Sequence, residues 1–199
     1  MIRKSVLINE YVNKRKSASE VAVALGVSER SVRYFLVKYE IPRRSISDAI
    51  YIKNNPQGDP FKFTPPTTNE DWELYGMGMG LYWGEGTKAN MYAVRLGNSD
   101  PDLTKVFIKF LIRFYKIDKK DLRFGIQIFS DMSVKKIESW WISRLDIKES
   151  QLYKTQITNT NKKGTYKNKQ YAGVITLYYN NKKMVEDLKL RLSDCKIKT

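Results

Sequence analysis

Chemistry in this chain has few residue types to run on. There is no histidine and one cysteine, Cys195, among 199 residues. That removes histidine general bases, Ser–His triads, histidine–metal nucleases, internal disulfides and cysteine zinc sites. Carboxylates, lysines, tyrosines and bound water remain. Glu85 has the most unusual setting. It closes the stretch LYGMGMGLYWGEGTK, Leu74 to Lys88, which is helical in length and flanks yet holds Gly76, Gly78, Gly80, Gly84 and Gly86. Each glycine costs a helix roughly 0.5–1 kcal/mol relative to alanine. Gly76, Gly80 and Gly84 are spaced by four and share one helix face,. Such a face lets a second helix approach closer than the usual ~8–10 Å between axes. Glu85 then stands at the C-terminal end of the packed pair, near the partner helix's equivalent residue. Lys88 lies just past it.

Gly78-Met-Gly-Leu-Tyr-Trp-Gly-Glu-Gly86 aligns with the nine letters of the LAGLIDADG motif. The stretch resembles that family of homing endonucleases and their regulatory relatives. Gly80, Leu81 and Gly86 match outright, Glu85 holds the catalytic acidic position, and Gly84 the small-residue position. Trp83 replaces the usual Asp, and Gly78 the first Leu. The following AVRLGNSDP is similar to the family's strand-then-helix continuation, so the resemblance covers 71–195. It implies a homodimer whose motif helices pair at the two-fold axis, with sheets forming a saddle over double-stranded DNA. It implies a Glu85 from each chain holding Mg²⁺ over the scissile phosphates, where metal-activated water hydrolyses the phosphodiester. Assisting basic and amide residues are expected at Lys88, Gln127 and Lys154. Arg95, Arg123 and Gln127 equally suit saddle positions that contact bases.

Charge points to the same class of partner. The net charge is +15, from 36 Lys and Arg against 21 Asp and Glu. Either this is solubility, or the partner is a polyanion, most simply nucleic acid. No apolar run approaches the ~20 residues that span a bilayer, and no signal-peptide pattern opens the chain. The expectation is an intracellular, nucleoid-associated protein with no membrane partner and no small-molecule cofactor.

The N-terminal quarter supplies a second DNA-reading device. Val6, Leu7, Tyr11 and Val12 form one helical stripe,. Ser17-Ala-Ser-Glu20 is a capping box that starts a helix ending at Gly26,. Ser28 caps the next, which turns Val32, Phe35 and Leu36 inward. Two short helices joined by a glycine turn make a helix-turn-helix. The run Ala22, Leu25-Gly26-Val27-Ser28 and Val32 resembles that family's pattern. In it the second helix enters the major groove, which would expose Ser28, Arg30, Ser31 and Arg33 to bases or phosphates. Packing alone is the competing role for such a hairpin. Pro42 ends the helix, leaving Arg43 and Arg44 on an extended arm that either lies in a minor groove or is solvated.

Domains are thus expected at 1–50 for the helix-turn-helix, 51–70 for a proline-rich linker and 71–199 for an α+β domain. In the last, the order is the glycine helix, a strand at MYAVRLGNS, a helix from Pro101, a strand at LRFGIQIF, a helix around Trp140-Trp141, strands LYKTQIT and AGVITLYY, and a final helix. The sheet is expected to be mostly antiparallel. The loop between the last two strands carries Lys162, Lys163, Lys167 and Lys169, read as a hairpin tip that is solvated or clamps phosphates.

Other chemistries fit less well. A P-loop would need Gly-Lys-Ser/Thr after the glycines, and a Rossmann loop a preceding strand. A restriction-type carboxylate–lysine pair lacks its second acid. An RNA-binding role leaves the helix-turn-helix unexplained. Between cleavage and regulation the residues divide: Glu85 favours metal binding, whereas Trp83 and the want of an evident catalytic lysine favour a DNA-binding regulator on a degenerate scaffold.

Overall fold

The computed structural model describes residues 1–159 and 171–194. Lys162, Lys163, Lys167, Lys169 and Cys195 lie outside the described residues. The chain divides into two compact units, Met1–Gly58 and Asp59–Thr199.

The first unit is all α. Helix α1 (Lys4–Leu7) continues as a π-helical turn, Ile8–Asn13. Helix α2 (Ala18–Leu25) starts at the expected capping box: the Ser17 hydroxyl accepts from the Glu20 amide at 3.1 Å, and the Glu20 carboxylate from the Ser17 amide at 2.7 Å. Gly26 ends it in the left-handed conformation, φ 64°, where a side chain would strain the turn. Helix α3 (Glu29–Lys38) is capped by Ser28. Leu7, Tyr11, Val21, Val32, Leu36 and Ile41 form the core. Val12, expected on the apolar stripe, is exposed, because the π turn shifts the register after Ile8,.

The joint between the units is shorter than composition implies. Helix α4, Ile46–Asn54, capped by Ser45, crosses the boundary expected at residue 50 and takes the first four residues read as linker. From Phe61 onward the chain is fastened to the second unit. The Lys62 amide donates to the Tyr115 carbonyl at 3.1 Å and Thr64 to Phe114 at 2.7 Å. Phe61 and Phe63 pack on the core, and Arg191 lies 3.2 Å from the Phe63 ring centroid. Extended backbone sends alternate side chains to one side, so Phe61 and Phe63 reach the core together. The prolines after them keep the strap from coiling.

The second unit packs helices on one face of a sheet. Helix α5 (Asn69–Glu85) carries the glycines. Strand β1 (Val94–Asn98) follows, then α6 (Pro101–Tyr115), β2 (Arg123–Phe129), α7 (Val134–Leu145), β3 (Gln156–Thr158), β4 (Val174–Tyr179) and α8 (Lys182–Asp194). Asp100 caps α6 and Pro101 takes its first turn, as expected,. The sheet order is β1-β4-β2-β3. β1–β4 and β2–β4 are antiparallel, and β2–β3 is parallel. The expected β3–β4 hairpin is therefore corrected: β2 lies between the two strands, so they do not pair. β4, with apolar residues on its inner face and neighbours on both sides, takes a central position, while the short polar β3 remains at the edge.

Alternation is clean along the strands. Val94, Leu96, Phe124, Ile126, Ile175 and Leu177 are buried against Phe107, Leu111, Trp141 and Leu188. The opposite face carries Arg95, Gly97, Thr176, Tyr178, Arg123, Gly125 and Gln127, and no helix covers it fully: each of these is half-buried or exposed. The α+β class is as expected. The saddle curvature belongs to the resemblance.

Candidate nucleic-acid interface

Helix α5 has two different glycine faces. Gly78 is buried, and a Cβ there would run into the Phe110 ring on α6. It is the residue that lets α5 and α6 close on each other. Gly76, Gly80 and Gly84 point away, with open space where each Cβ would stand. On the same outward stripe Trp72, Met77 and Trp83 are 58%, 50% and 54% exposed. The motif departure at the first letter, Gly78 for Leu, thus has a packing cause within one chain. Among the described residues nothing lies within 4 Å of a Cβ built at Gly76, Gly80 or Gly84.

Glu85 is the last residue of α5 and is exposed. Among the described residues it has no ion pair. Gly86 then turns extended and bridges Leu96 on β1. The Thr87 amide donates to the Arg95 carbonyl at 3.0 Å. These contacts dock the end of α5 against the edge of the sheet. They set Thr87 beside Arg95 and end the helix, at Glu85, on the β1 side of the sheet. Outward carbonyls at a helix C-terminus add negative potential beside the carboxylate.

The auxiliary residues are less gathered. The Lys88 ammonium donates to the Trp83 carbonyl at the end of α5, next to Glu85 but turned back on the backbone. Gln127 stands on β2 opposite Val174 and Gln156, and its amide donates to the Thr158 hydroxyl at 3.2 Å. Lys154 is exposed on the approach to β3. Between them and Glu85 stand β4 and β1, so one chain does not assemble Glu85, Gln127 and Lys154 into one cluster. Arg95 and Arg123 share the row through Tyr178. Arg123 donates to the carbonyls of Lys120 and Leu122 at 2.8 and 2.9 Å, which holds it down at the sheet end.

In the first unit, Arg30 and Arg43 are exposed. Ser28 and Ser31 are engaged in the N-cap of α3, hydroxyl to hydroxyl at 3.0 Å. Arg33 is paired with Glu29 one turn before it, Nε to Oε1 at 2.8 Å. Arg44 is corrected from a groove-reading arm to a structural clamp. Its guanidinium lies 4.1 Å from the Tyr11 ring centroid and donates to the carbonyls of Tyr11, of Arg15 at 2.8 Å and of Lys16 at 2.7 Å. Tyr11 lies in the π turn and Arg15 and Lys16 follow it, so the arginine fork ties the end of that turn to the chain after α3,.

Sequence reasoning missed Tyr178, Tyr153 and Thr176 on the open sheet face. The period of two in VITLYY carried the signal: it separates Thr176 and Tyr178 from the buried Ile175, Leu177 and Tyr179,.

No group of three His, Cys, Asp or Glu gathers to hold a metal among the described residues. Glu85 supplies hard carboxylate oxygens of the kind Mg²⁺ prefers, but one per chain is too few. The donors fit in kind and fall short in number unless a second chain contributes. Comparison with family models, curated proteins and solved structures finds no match. Among the described residues no helix is long and apolar enough to cross a membrane.

Proposed function

We propose that this chain is a homodimeric, sequence-specific double-stranded DNA-binding protein of the homing endonuclease type. The observation that carries the reading is the outward stripe of α5. Gly76, Gly80 and Gly84 leave open space, Trp72, Met77 and Trp83 stand exposed beside them, and the stripe ends on Glu85. An apolar stripe of this kind on a basic chain calls for a partner. A second copy fits it best: the small residues admit an identical helix, and the pair brings two Glu85 carboxylates together where one is insufficient.

In this reading the open sheet face meets the duplex, and Arg30 and Arg43 of the first unit contact DNA outside the centre. The two Glu85 side chains, with help from Lys88, Gln127 or Lys154, would hold Mg²⁺. Bound there, the ion would activate water and stabilise the attacking and leaving oxygens of phosphodiester hydrolysis. A second reading, a DNA-binding transcriptional regulator that does not cut, draws support from Lys88 turned back on the Trp83 carbonyl and from the distance in topology between Glu85 and Gln127 or Lys154.

Selection from a random duplex library in Mg²⁺, with sequencing of bound and broken molecules, tests both. Breaks at a fixed place inside a two-fold-related consensus support the endonuclease. An intact enriched palindrome supports the regulator. No enrichment over bulk duplex contradicts both.

A further inference from the structure

Three rows of residues cross the open face of the sheet. Arg95, Tyr178 and Arg123 form the first, Gly97, Thr176 and Gly125 the second, and Val174, Gln127 and Gln156 the third. At its Gly97 end the middle row carries almost no side chain, so a trough opens there; at the other end the Tyr178 ring lies over Gly125. Its walls stand about 6.8 Å to either side, two residues along each strand. Glu85 ends α5 on the β1 side of this trough, one residue before Gly86, which bridges Leu96.

Arg95 lies down at the rim of the trough. Its guanidinium carbon is 5.3 Å from the Tyr178 ring centroid. The ring in turn lies over Gly125, where an added Cβ would meet it at 3.2 Å. Tyr153 packs edge-on to Tyr178 at 5.4 Å. The stack is therefore fixed from below and from the side. Among the described residues Arg95 makes no ion pair and its side chain no hydrogen bond, and its Nε is buried without a partner. The neighbouring arginines are satisfied: Arg113 by Asp71, Arg191 by Asp187, Arg123 by carbonyls. An arginine held only by a ring keeps an uncompensated charge, which attracts an anion.

We infer that Arg95, stacked on Tyr178 at the rim of the trough at Gly97, seats one DNA phosphodiester beside Glu85. The inference rests on the DNA-binding reading above and sharpens it. The planar guanidinium fork matches two phosphate oxygens. Because it lies along the sheet, it meets a sugar–phosphate backbone resting on the face, not a base edge deep in a groove. Its role shifts from the expected base reader to a positioning residue that places a phosphate next to the carboxylate.

The test is the salt dependence of binding by the full chain to a labelled duplex of random sequence. Loss of one phosphate contact lowers the slope of log K against log salt by about 0.9 for each bound chain. Arg95→Gln should show that drop, and Tyr178→Ala should follow it, since the stack is gone. Arg95→Lys should retain the slope, because the charge remains. Arg144→Gln is the control: Arg144 is also ring-held, 5.5 Å from Trp140, but sits on α7 away from the open face. A wild-type slope for a folded Arg95→Gln overturns the seat and leaves DNA binding standing. A wild-type protein whose duplex binding is absent or insensitive to salt overturns the DNA reading and the seat with it. Phenylglyoxal footprinting of the unaltered chain checks the result without a variant. Arg95 should be protected by duplex, and equal modification with and without duplex overturns the proposal.

Discussion

Arg44, Gly78 and Glu85 have roles that their residue types alone leave open. Arg44 donates to three backbone carbonyls in and just after the π turn. Arg44→Ala removes hydrogen bonds to acceptors that are exposed or only part-buried, so water takes them up and the loss is about 0.5–1.5 kcal/mol,. The first unit should lose stability by an amount of that order, read as a lowered melting temperature, whereas Arg43→Ala should be near neutral. Gly78→Ala drives a Cβ into the Phe110 ring and should cost about 1–3 kcal/mol by overpacking, measured by denaturant unfolding,. Glu85→Gln should abolish any cleavage and spare duplex binding; undiminished cutting would remove Glu85 from the chemistry. The position of Glu85 at the end of the glycine-rich helix was legible from the sequence. The Arg44 clamp was not legible, because the carbonyls it satisfies are separated from it by 28 to 33 positions in sequence. Gly78 was legible as part of a small-residue run, but not as the glycine that faces inward, since helix phase relative to α6 is a tertiary fact.

At the scale of elements, α5 is held at both ends by different devices. At its N-terminus Asp71 is buried, accepts from Thr67 at 3.2 Å, and takes a two-pronged contact from Arg113 at 2.8 and 2.6 Å. Burial alone would raise its pKa, but the Thr67 amide and the Arg113 guanidinium outweigh it, and the net direction is down. A carboxyl depressed in the folded state stabilises the fold above its unfolded pKa. That contribution is lost as pH falls through the folded value, so the second unit should weaken on acidification below the ordinary aspartate range. Asp71→Asn should flatten this part of the stability–pH profile. At its other end α5 presents Gly80 outward. Gly80→Leu should prevent dimerisation while leaving the monomer fold intact, because among the described residues nothing lies within 4 Å of a Cβ built there. A fully dimeric Gly80→Leu protein in sedimentation would contradict helix pairing. Element types and order were legible from capping boxes, Pro101 and strand alternation. The β3–β4 hairpin was misread because sequence neighbours are the default pairing, whereas β4 takes the central place between β1 and β2,.

On the scale of the whole molecule, two cores serve one basic chain. The cores share no residue, and the joint narrows to the stretch between Asn55, which ends α4, and Phe61, which is already packed on the second unit. Proline content made this stretch look like a long linker. The hydrophobic pair Phe61 and Phe63 was the contrary signal, and its partners Tyr115 and Arg191 lie far along the sequence. The net charge of +15 is consistent with either unit meeting DNA and does not say which dominates. Pairing of two chains is the feature on which the rest depends, because one chain offers a single Glu85 and an uncovered α5 stripe.

The most direct measurement is disulfide trapping at the centre of that stripe. Gly80→Cys in a Cys195→Ser background places one thiol per chain on the outward face of α5. Paired helices bring the two Cα atoms within the roughly 4.4–6.8 Å that a disulfide needs. Mild oxidation should convert most of the protein to a covalent dimer, while Lys109→Cys, exposed on α6, should stay monomeric under the same conditions. A Gly80→Cys protein that crosslinks no faster than Lys109→Cys would contradict the dimer, and with it the shared Glu85 site.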